Sequence, residues 1–290
     1  MSKRRNVSHV STDEILNHPG FREARDALVD GFVDLFADSP FLTKLMADAG
    51  CLMLAATLIG MHANQDENDS RTWATHGRVQ KLIAGRRIAS LRRLDHLIAR
   101  FELTGYIERV ASTADKRVRI LRPTELLLSH DRAYMAVYHR LLHTLYPDRG
   151  YERVARQDPV AHLAIRKASF HAQPIAAAFM RHPVMTVFLA HDAGFMLPLL
   201  AIQSARARSP ADAVSFTTIA RRLGVSRTHV RNIFIAAAAA GFVSLDGEAG
   251  TVRLLPRFWP AYDRGVADVA SACDATAQQA FAGLSELLRH

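Results

Sequence analysis

Apolar residues recur at helical spacing along most of the chain, and short polar segments interrupt the runs. In each half the pattern predicts two leading helices, a short helix, a turn, a longer helix, a two-stranded hairpin and a final helix. The leading helices are predicted around 21–37 and 40–63 in the first half, and around 160–180 and 183–207 in the second. Long β-branched runs are few, so the pattern indicates a mainly α fold with short hairpins.

The second half contains the clearest of these patterns. Phe216–Leu223 has apolar residues on one face, and Gly224-Val225-Ser226 follows as a turn with a flexible Gly and a good N-capping Ser226. The next helix is predicted over 227–240, with Gly241 ending it. Segments 242–245 and 251–255 bracket a polar tip and predict a hairpin. The predicted inward residues of the longer helix are Val230, Ile233 and Phe234, and the outward ones include Arg227, Thr228, His229 and Arg231.

The first half repeats this plan with different residues. A short helix is predicted over 79–87, followed by the turn Ile88-Ala89-Ser90 and a longer helix over 91–104. The predicted hairpin, 106–110 and 118–121, has the basic tip Asp115-Lys116-Arg117. The predicted inward residues of the longer helix are Leu94, Leu97 and Ile98, and the outward ones are Arg92, Arg93, Asp95 and His96.

The two halves match in register, which indicates an internal duplication. Ser90 matches Ser226 and Gly105-Tyr106-Ile107 matches Gly241-Phe242-Val243, both at an offset of 136 residues. Asp48-Ala49-Gly50 likewise recurs as Asp192-Ala193-Gly194. We therefore predict two repeats, 1–150 and 151–290, fused into one chain with pseudo-two-fold symmetry.

Positive charge is concentrated in these two patterns. The chain carries a formal charge of +9, while residues 71–122 contain thirteen Lys and Arg against four Asp and Glu. Residues 215–257 contain six Lys and Arg against two Asp and Glu, so the remainder of the chain is net acidic. Such a distribution favours a polyanionic partner, and double-stranded DNA is the partner that a basic helix-turn-helix predicts.

Candidate DNA contacts follow from the predicted outward faces. Ser90 and Ser226 are predicted to cap the two recognition helices, which would lie in successive major grooves about 34 Å apart. Their differing sequences predict an asymmetric operator. The predicted base-reading residues are Arg92, Arg93, His96, Arg227, Thr228 and His229. The predicted phosphate-contacting residues are Arg86, Arg87, Lys116, Arg117, Arg221, Arg222, Arg231 and Arg253.

At these residues the chain resembles the MarR family of winged helix-turn-helix transcriptional regulators. The resemblance is carried by Leu103-Thr104-Gly105-Tyr106-Ile107, by the Asp115-x-Arg117 tip and by Leu121-Arg122-Pro123-Thr124 before a helix. It covers nearly the whole chain, taken twice, and implies homodimer-like pairing through terminal helices. It departs from the family pattern where the second tip is Asp246-Gly247-Glu248 and where the first turn has no Gly.

Apolar stripes along the predicted terminal helices, 124–146 and 266–288, require a buried partner surface. The other half of the same chain is the simplest partner, so we expect a monomer that acts as a pseudo-dimer. Methionines cluster in the leading helices, where they are either core residues or the lining of a pocket for a small-molecule effector, as the resemblance suggests.

Other functions have weaker support in the sequence. The two alternatives that keep the fold are a non-specific architectural DNA binder and a winged-helix protein–protein adaptor. No catalytic motif or cofactor-binding loop is found, so neither an enzyme nor a cofactor is expected. Cys51 and Cys273 are predicted to be buried and inert, and the pair His139 and His143 lacks further metal-ligand candidates. Without a signal peptide or a long apolar run, we expect a cytoplasmic protein with no membrane partner.

Overall fold

Helices dominate the structure, a computed structural model that describes residues 9–36, 49–85, 90–170, 174–207 and 214–287. The mainly α prediction is confirmed. The described elements of the first half are α1 (Thr12–Asn17), α2 (Phe21–Phe36), α3 (Ala49–Ala63), α4 (His76–Ala84), α5 (Leu91–Leu103), β1 (Ile107–Ala111), β2 (Arg119–Pro123) and α6 (Glu125–Leu145). Those of the second half are α7 (Glu152–Ala155), α8 (Pro159–Ser169), α9 (Pro174–Met180), α10 (Pro183–Leu189), α11 (Met196–Ala207), β3 (Val214–Ser215), α12 (Phe216–Leu223), α13 (Arg227–Ala239), β4 (Val243–Asp246), β5 (Thr251–Leu254) and α14 (Phe258–Leu287).

Each half contains an antiparallel hairpin at the predicted place. β1 pairs with β2 from Ile107 opposite Pro123 to Ala111 opposite Arg119. β4 pairs with β5, and the short strand β3, which was not predicted, adds to the other edge of β5. We call residues 76–85 with 90–123 the first helix-hairpin unit, and residues 214–254 the second helix-hairpin unit.

Three predicted helix boundaries are wrong. The helix predicted over 160–180 is two described helices, α8 and α9, and the helix predicted over 183–207 is broken between α10 and α11. The second break contains Ala193 at a φ of +57°, which a continuous right-handed helix does not permit. The final helix begins at Phe258 rather than near 266, because Pro260 lies in its first turn, where a missing backbone N–H costs little.

Helices of the two halves pack against each other in reciprocal pairs. Within the halves, α2 packs on α6 and α8 packs on α14. Between them, α3 packs on α8 while α11 packs on α2, and α1 packs on α14 while α7 packs on α6. The buried apolar residues form one continuous cluster from Val10 to Ala280. The predicted repeats 1–150 and 151–290 therefore share a core.

Buried ion pairs join the halves at two further places, between α6 and α8 and between α2 and α14. Asp131 on α6 accepts hydrogen bonds from Arg166 Nε at 2.7 Å and from His162 Nε2 at 2.6 Å, both on α8. Arg25 on α2 donates to Asp263 on α14 at 2.8 Å. Each pair links a helix of the first half to one of the second, and all five side chains are largely buried.

The carboxylate of Asp274 holds a third crossing together. This fully buried group on α14 accepts from the backbone N–H of Val10 at 2.5 Å and from the Tyr151 hydroxyl at 2.5 Å. Arg149, in the 3₁₀ turn that follows α6, pairs with the same carboxylate at 3.2 Å. The segment that connects the halves is thus fixed to the last helix.

Candidate nucleic-acid interface

Helix α5 begins where the sequence predicts, because Ser90 caps it. The Ser90 hydroxyl accepts a hydrogen bond from the Arg93 backbone N–H at 3.3 Å, which satisfies one of the free donors of the first turn. The predicted inward residues of α5 are buried, and Arg92 and His96 are exposed on the opposite face. Arg93 is also exposed but is engaged, as described below.

Helix α13 has the same construction and the same length of 13 residues. The Ser226 hydroxyl accepts from the His229 backbone N–H at 3.0 Å, and Gly224 closes α12 in the left-handed region at a φ of +63°. Val230, Ile233 and Phe234 are buried as predicted. Of the predicted outward residues, Arg227, Thr228 and Arg231 are exposed, while His229 is half-buried.

The two hairpin tips differ in charge and in construction. In the first unit the Asp115 carboxylate accepts from the Arg117 backbone N–H at 2.9 Å, which shapes the tip and leaves the Arg117 side chain 95% exposed beside an exposed Lys116. In the second unit the Asp246 carboxylate shapes the tip in the same way. It accepts from the backbone N–H of Glu248 at 3.1 Å and from that of Ala249 at 2.9 Å. The residues of this tip include no Lys or Arg.

Three of the remaining predicted cations lie on the second unit, and two lie outside the described residues. Arg221 and Arg253 are exposed, on α12 and β5. Arg222 is exposed too, but its guanidinium donates to the side-chain oxygen of Gln203 at 2.8 Å. Arg86 and Arg87 lie outside the described residues, as do Ile88 and Ala89 of the predicted turn.

Arg227 lies against the tip of its own hairpin, a contact that helical periodicity does not reveal. A Cβ built on Gly250 would overlap the Arg227 guanidinium, whose Cζ would be 3.1 Å away. Gly250 has a φ of +64°, a conformation that glycine adopts easily because it has no Cβ. The absence of a Cβ also lets the Arg227 guanidinium approach the tip closely. The guanidinium is therefore positioned between α13 and the second hairpin.

A turn between α10 and α11 contacts the N-terminal ends of both α5 and α13. The Arg93 guanidinium donates to the Asp192 carboxylate at 2.8 Å, and His229 Nε2 donates to the Asp192 backbone oxygen at 2.8 Å. Standard bond lengths limit the Cα–Cα distance between Arg93 and His229 to at most about 23 Å through these contacts. These two helix ends are thus closer together than the spacing of about 34 Å between successive major grooves.

A cavity of about 120 Å³ lies between helices of the two halves and is a second candidate site. Its wall is mainly apolar and includes Leu52, Tyr134, Ile175 and Phe179. Two of the methionines in the predicted leading helices, Met53 and Met180, line it as well. The polar side chains at the wall are Asp131, Arg166, His139, Ser169 and Cys273, and Tyr134 and Tyr138 each add a hydroxyl. Burial raises the pKa of the Cys273 thiol to about 12, so this cysteine is neutral at physiological pH.

His139 is a polar side chain of the cavity with spare hydrogen-bonding capacity. Its Nδ1 donates to the Met135 backbone oxygen at 2.8 Å, and its buried Nε2 has no partner among the described residues. Burial lowers the pKa of His139 to about 4, so the ring is neutral near pH 7. A neutral ring that donates through Nδ1 presents Nε2 as an acceptor.

The described residues contain no cluster of three or more His, Cys, Asp or Glu with metal-binding geometry, and none of their helices has the length and apolar character needed to cross a membrane. Cys51 is buried, as predicted.

Comparison with known proteins gives no match for this chain among family models, curated proteins or solved structures.

Proposed function

We propose that the protein is a DNA-binding transcriptional regulator with two winged helix-turn-helix units, the first and second helix-hairpin units. The observation that supports this most directly is the paired construction of α5 and α13. Both helices have 13 residues, a serine cap, a buried apolar face and an exposed polar or basic N-terminal turn, and each is followed by a hairpin. A recognition helix with a wing has these parts.

The reciprocal packing supports the pseudo-dimer part of the proposal. In a two-fold dimer, each contact between subunits occurs twice. Here the contact of α3 with α8 has its counterpart in the contact of α11 with α2. The buried ion pairs Asp131–Arg166 and Arg25–Asp263 follow the same reciprocity. We propose that one ancestral MarR-like protomer was duplicated and fused, so that one chain supplies both units.

In this proposal the two units have different roles on DNA. Arg92, Arg93 and His96 contact bases in one major groove, and Arg227, Thr228 and His229 contact bases in the other. The exposed cations outside these helix ends bind phosphates, with the first hairpin contributing Lys116 and Arg117. The second hairpin contributes Arg253 from its strand rather than from its tip.

The proposal predicts that duplex DNA shifts the protein in a mobility assay and that a subset of genomic fragments is retained well above random duplex. Six exposed phosphate-contacting candidates predict a slope of log K against log salt of about −5. Arg231→Gln is expected to weaken binding to all sequences and to reduce the slope by about 1, whereas Arg92→Ala relaxes specificity at one half-site.

The outcome of the same assay separates the alternatives. A steep salt slope with equal affinity for genomic and random duplexes indicates an architectural binder. Absence of any shift at low salt contradicts DNA binding and favours a protein–protein adaptor. Equal losses from Arg93→Ala and Arg227→Ala on a strict palindrome would contradict the unequal roles of the two units.

We also propose that the cavity between the halves binds a small-molecule effector. Its volume is close to that of cavities that hold one aromatic ring, and its wall is apolar apart from a few polar groups. The neutral His139 favours a ligand with one hydrogen-bond donor on an apolar body, and Arg166 is already neutralised by Asp131.

Phenol is therefore expected to raise the melting temperature more than toluene at equal concentration. The hydroxyl can donate to His139 Nε2, which removes the cost of an unpaired buried acceptor. His139→Leu is expected to abolish the preference for phenol over toluene, as measured by thermal shift or calorimetry. Equal responses to both compounds in the unchanged protein would contradict the assignment of His139.

A further inference from the structure

The turn between α10 and α11 has a backbone that its surroundings fix in detail. The N–H of His191 donates to the Phe188 oxygen at 3.1 Å, and the N–H of Gly194 donates to the His191 oxygen at 2.9 Å. Ala193 adopts a φ of +57°, which is costly for a residue with a Cβ. Gly194 is held so close to the Phe188 carbonyl that no other residue fits. A strained backbone of this kind persists only where the fold over-determines it.

This rigid turn connects equivalent positions of the two units. Arg93 and His229 are each the third residue of their helix, and they match at the repeat offset of 136 residues. Arg93 binds the Asp192 side chain, and His229 binds the Asp192 main chain. One residue thus holds the N-terminal ends of both helices, and it engages two of the six side chains proposed to read bases.

We propose that Asp192 is an autoinhibitory clasp that holds α5 and α13 too close together for two successive major grooves. This inference rests on the proposed function. Binding of an operator requires Arg93 to exchange the Asp192 carboxylate for DNA and requires the two helix ends to separate. The clasp adjusts how readily the protein binds DNA, because the closed arrangement must be opened first.

The energetic scale of the clasp suits a reversible switch. The Arg93 and Asp192 side chains are 44% and 65% exposed, so their ion pair is weak and is screened by salt. A phosphate or a guanine edge competes for the same guanidinium with comparable or better geometry. Near pH 7 His191, the neighbour of Asp192, does not add a cation, because burial and then the nearby His229 lower its pKa.

Spin labels test the clasp without DNA. Ala99 and Ile235 are exposed residues on α5 and α13 at equivalent positions, and both native cysteines are buried, so Ala99→Cys with Ile235→Cys gives a defined label pair. Asp192→Ala is expected to lengthen and broaden the measured distance distribution. Arg93→Asp alone is expected to do the same, and Arg93→Asp combined with Asp192→Arg is expected to restore the short distance. An unchanged distance in both single variants overturns the clasp.

DNA binding tests the inhibitory role. Asp192→Asn is expected to raise affinity for a selected genomic duplex about three-fold, as the release of one exposed ion pair allows. Glu108→Gln is the matched control, because it removes one half-exposed acidic charge, paired with Arg122, from the first helix-hairpin unit without touching the turn or a proposed base-reading residue. Equal gains in the two variants identify simple charge repulsion and overturn autoinhibition. A lengthened label distance with no DNA binding by any variant contradicts the proposed function and the inhibitory role, while the mechanical tie itself stands.

Discussion

Asp131→Ala is expected to lower the free energy of unfolding by about 3–5 kcal/mol, because it leaves a buried guanidinium without its counter-ion. Arg166 is largely buried beside Asp131, and His162 donates to the same carboxylate. The loss affects a crossing between the halves, so the whole fold is destabilised rather than one unit. Urea unfolding followed by circular dichroism measures the change.

Two variants show whether the effect has the stated cause. Glu108→Ala breaks an ion pair with Arg122 on the first hairpin in which both side chains are about half exposed, and it is expected to cost less than about 1 kcal/mol. Asp131→Leu combined with Arg166→Met removes both charges and is expected to be more stable than Asp131→Ala. If the double variant were the least stable of the set, the uncompensated charge would not be the cause.

The same carboxylate predicts a pH dependence. Burial by itself raises the pKa of Asp131, but Arg166 and the hydrogen bond from His162 outweigh it and hold the pKa well below the usual range. Because the pKa of Asp131 is depressed in the folded state, the ionised carboxylate stabilises the fold above about pH 4. This stabilisation is lost as the pH falls through the pKa of the folded state. The difference in stability between the unchanged protein and Asp131→Asn is therefore expected to shrink between pH 5 and pH 2.

Gly194→Ala is the second substitution with a large expected effect, a loss of about 2–4 kcal/mol of unfolding free energy. A Cβ at this position would overlap the Phe188 carbonyl and would lie 2.8 Å from the His191 oxygen. Both obstacles are backbone atoms, which cannot move aside as a flexible side chain does. Thermal and urea unfolding measure the loss.

Gly77→Ala provides the control for this prediction. Gly77 lies in α4, and a Cβ there meets nothing within 4 Å. Alanine at an unobstructed helical position is expected to be neutral or to stabilise by up to about 1 kcal/mol. If the two alanine variants were equally stable, the turn between α10 and α11 would not be the rigid element described above.

Local patterns made α5 and α13 predictable from the sequence to within a residue. The serine cap, the spacing of Leu94, Leu97 and Ile98, and the closing Gly105 all lie within one short segment. Both hairpins were predictable to within two residues, because their strands are close neighbours along the chain. The roles of these residues on DNA stay predictions, because exposure and charge do not by themselves distinguish a base contact from a solvated surface.

The features that could not be predicted depend on three-dimensional packing rather than on a local pattern. The repeated Asp-Ala-Gly indicates a duplication, yet the break at Asp192 depends on the Phe188 carbonyl and the surrounding packing. The bond between Arg93 and Asp192 joins residues 99 positions apart. Strand β3 forms only because β5 offers it a free edge, and two residues give too short a pattern to detect.

The reciprocal packing of helices from the two halves also affects how the assembly responds to dilution. Two separate protomers that exchanged helices in this way would come apart as their concentration fell, because their association would be bimolecular. In this chain the segment around Arg149 and Tyr151 joins the partners covalently and is itself anchored to Asp274. Pairing is then an intramolecular event with a fixed effective concentration. The paired arrangement is therefore expected to be equally populated at any copy number of the chain.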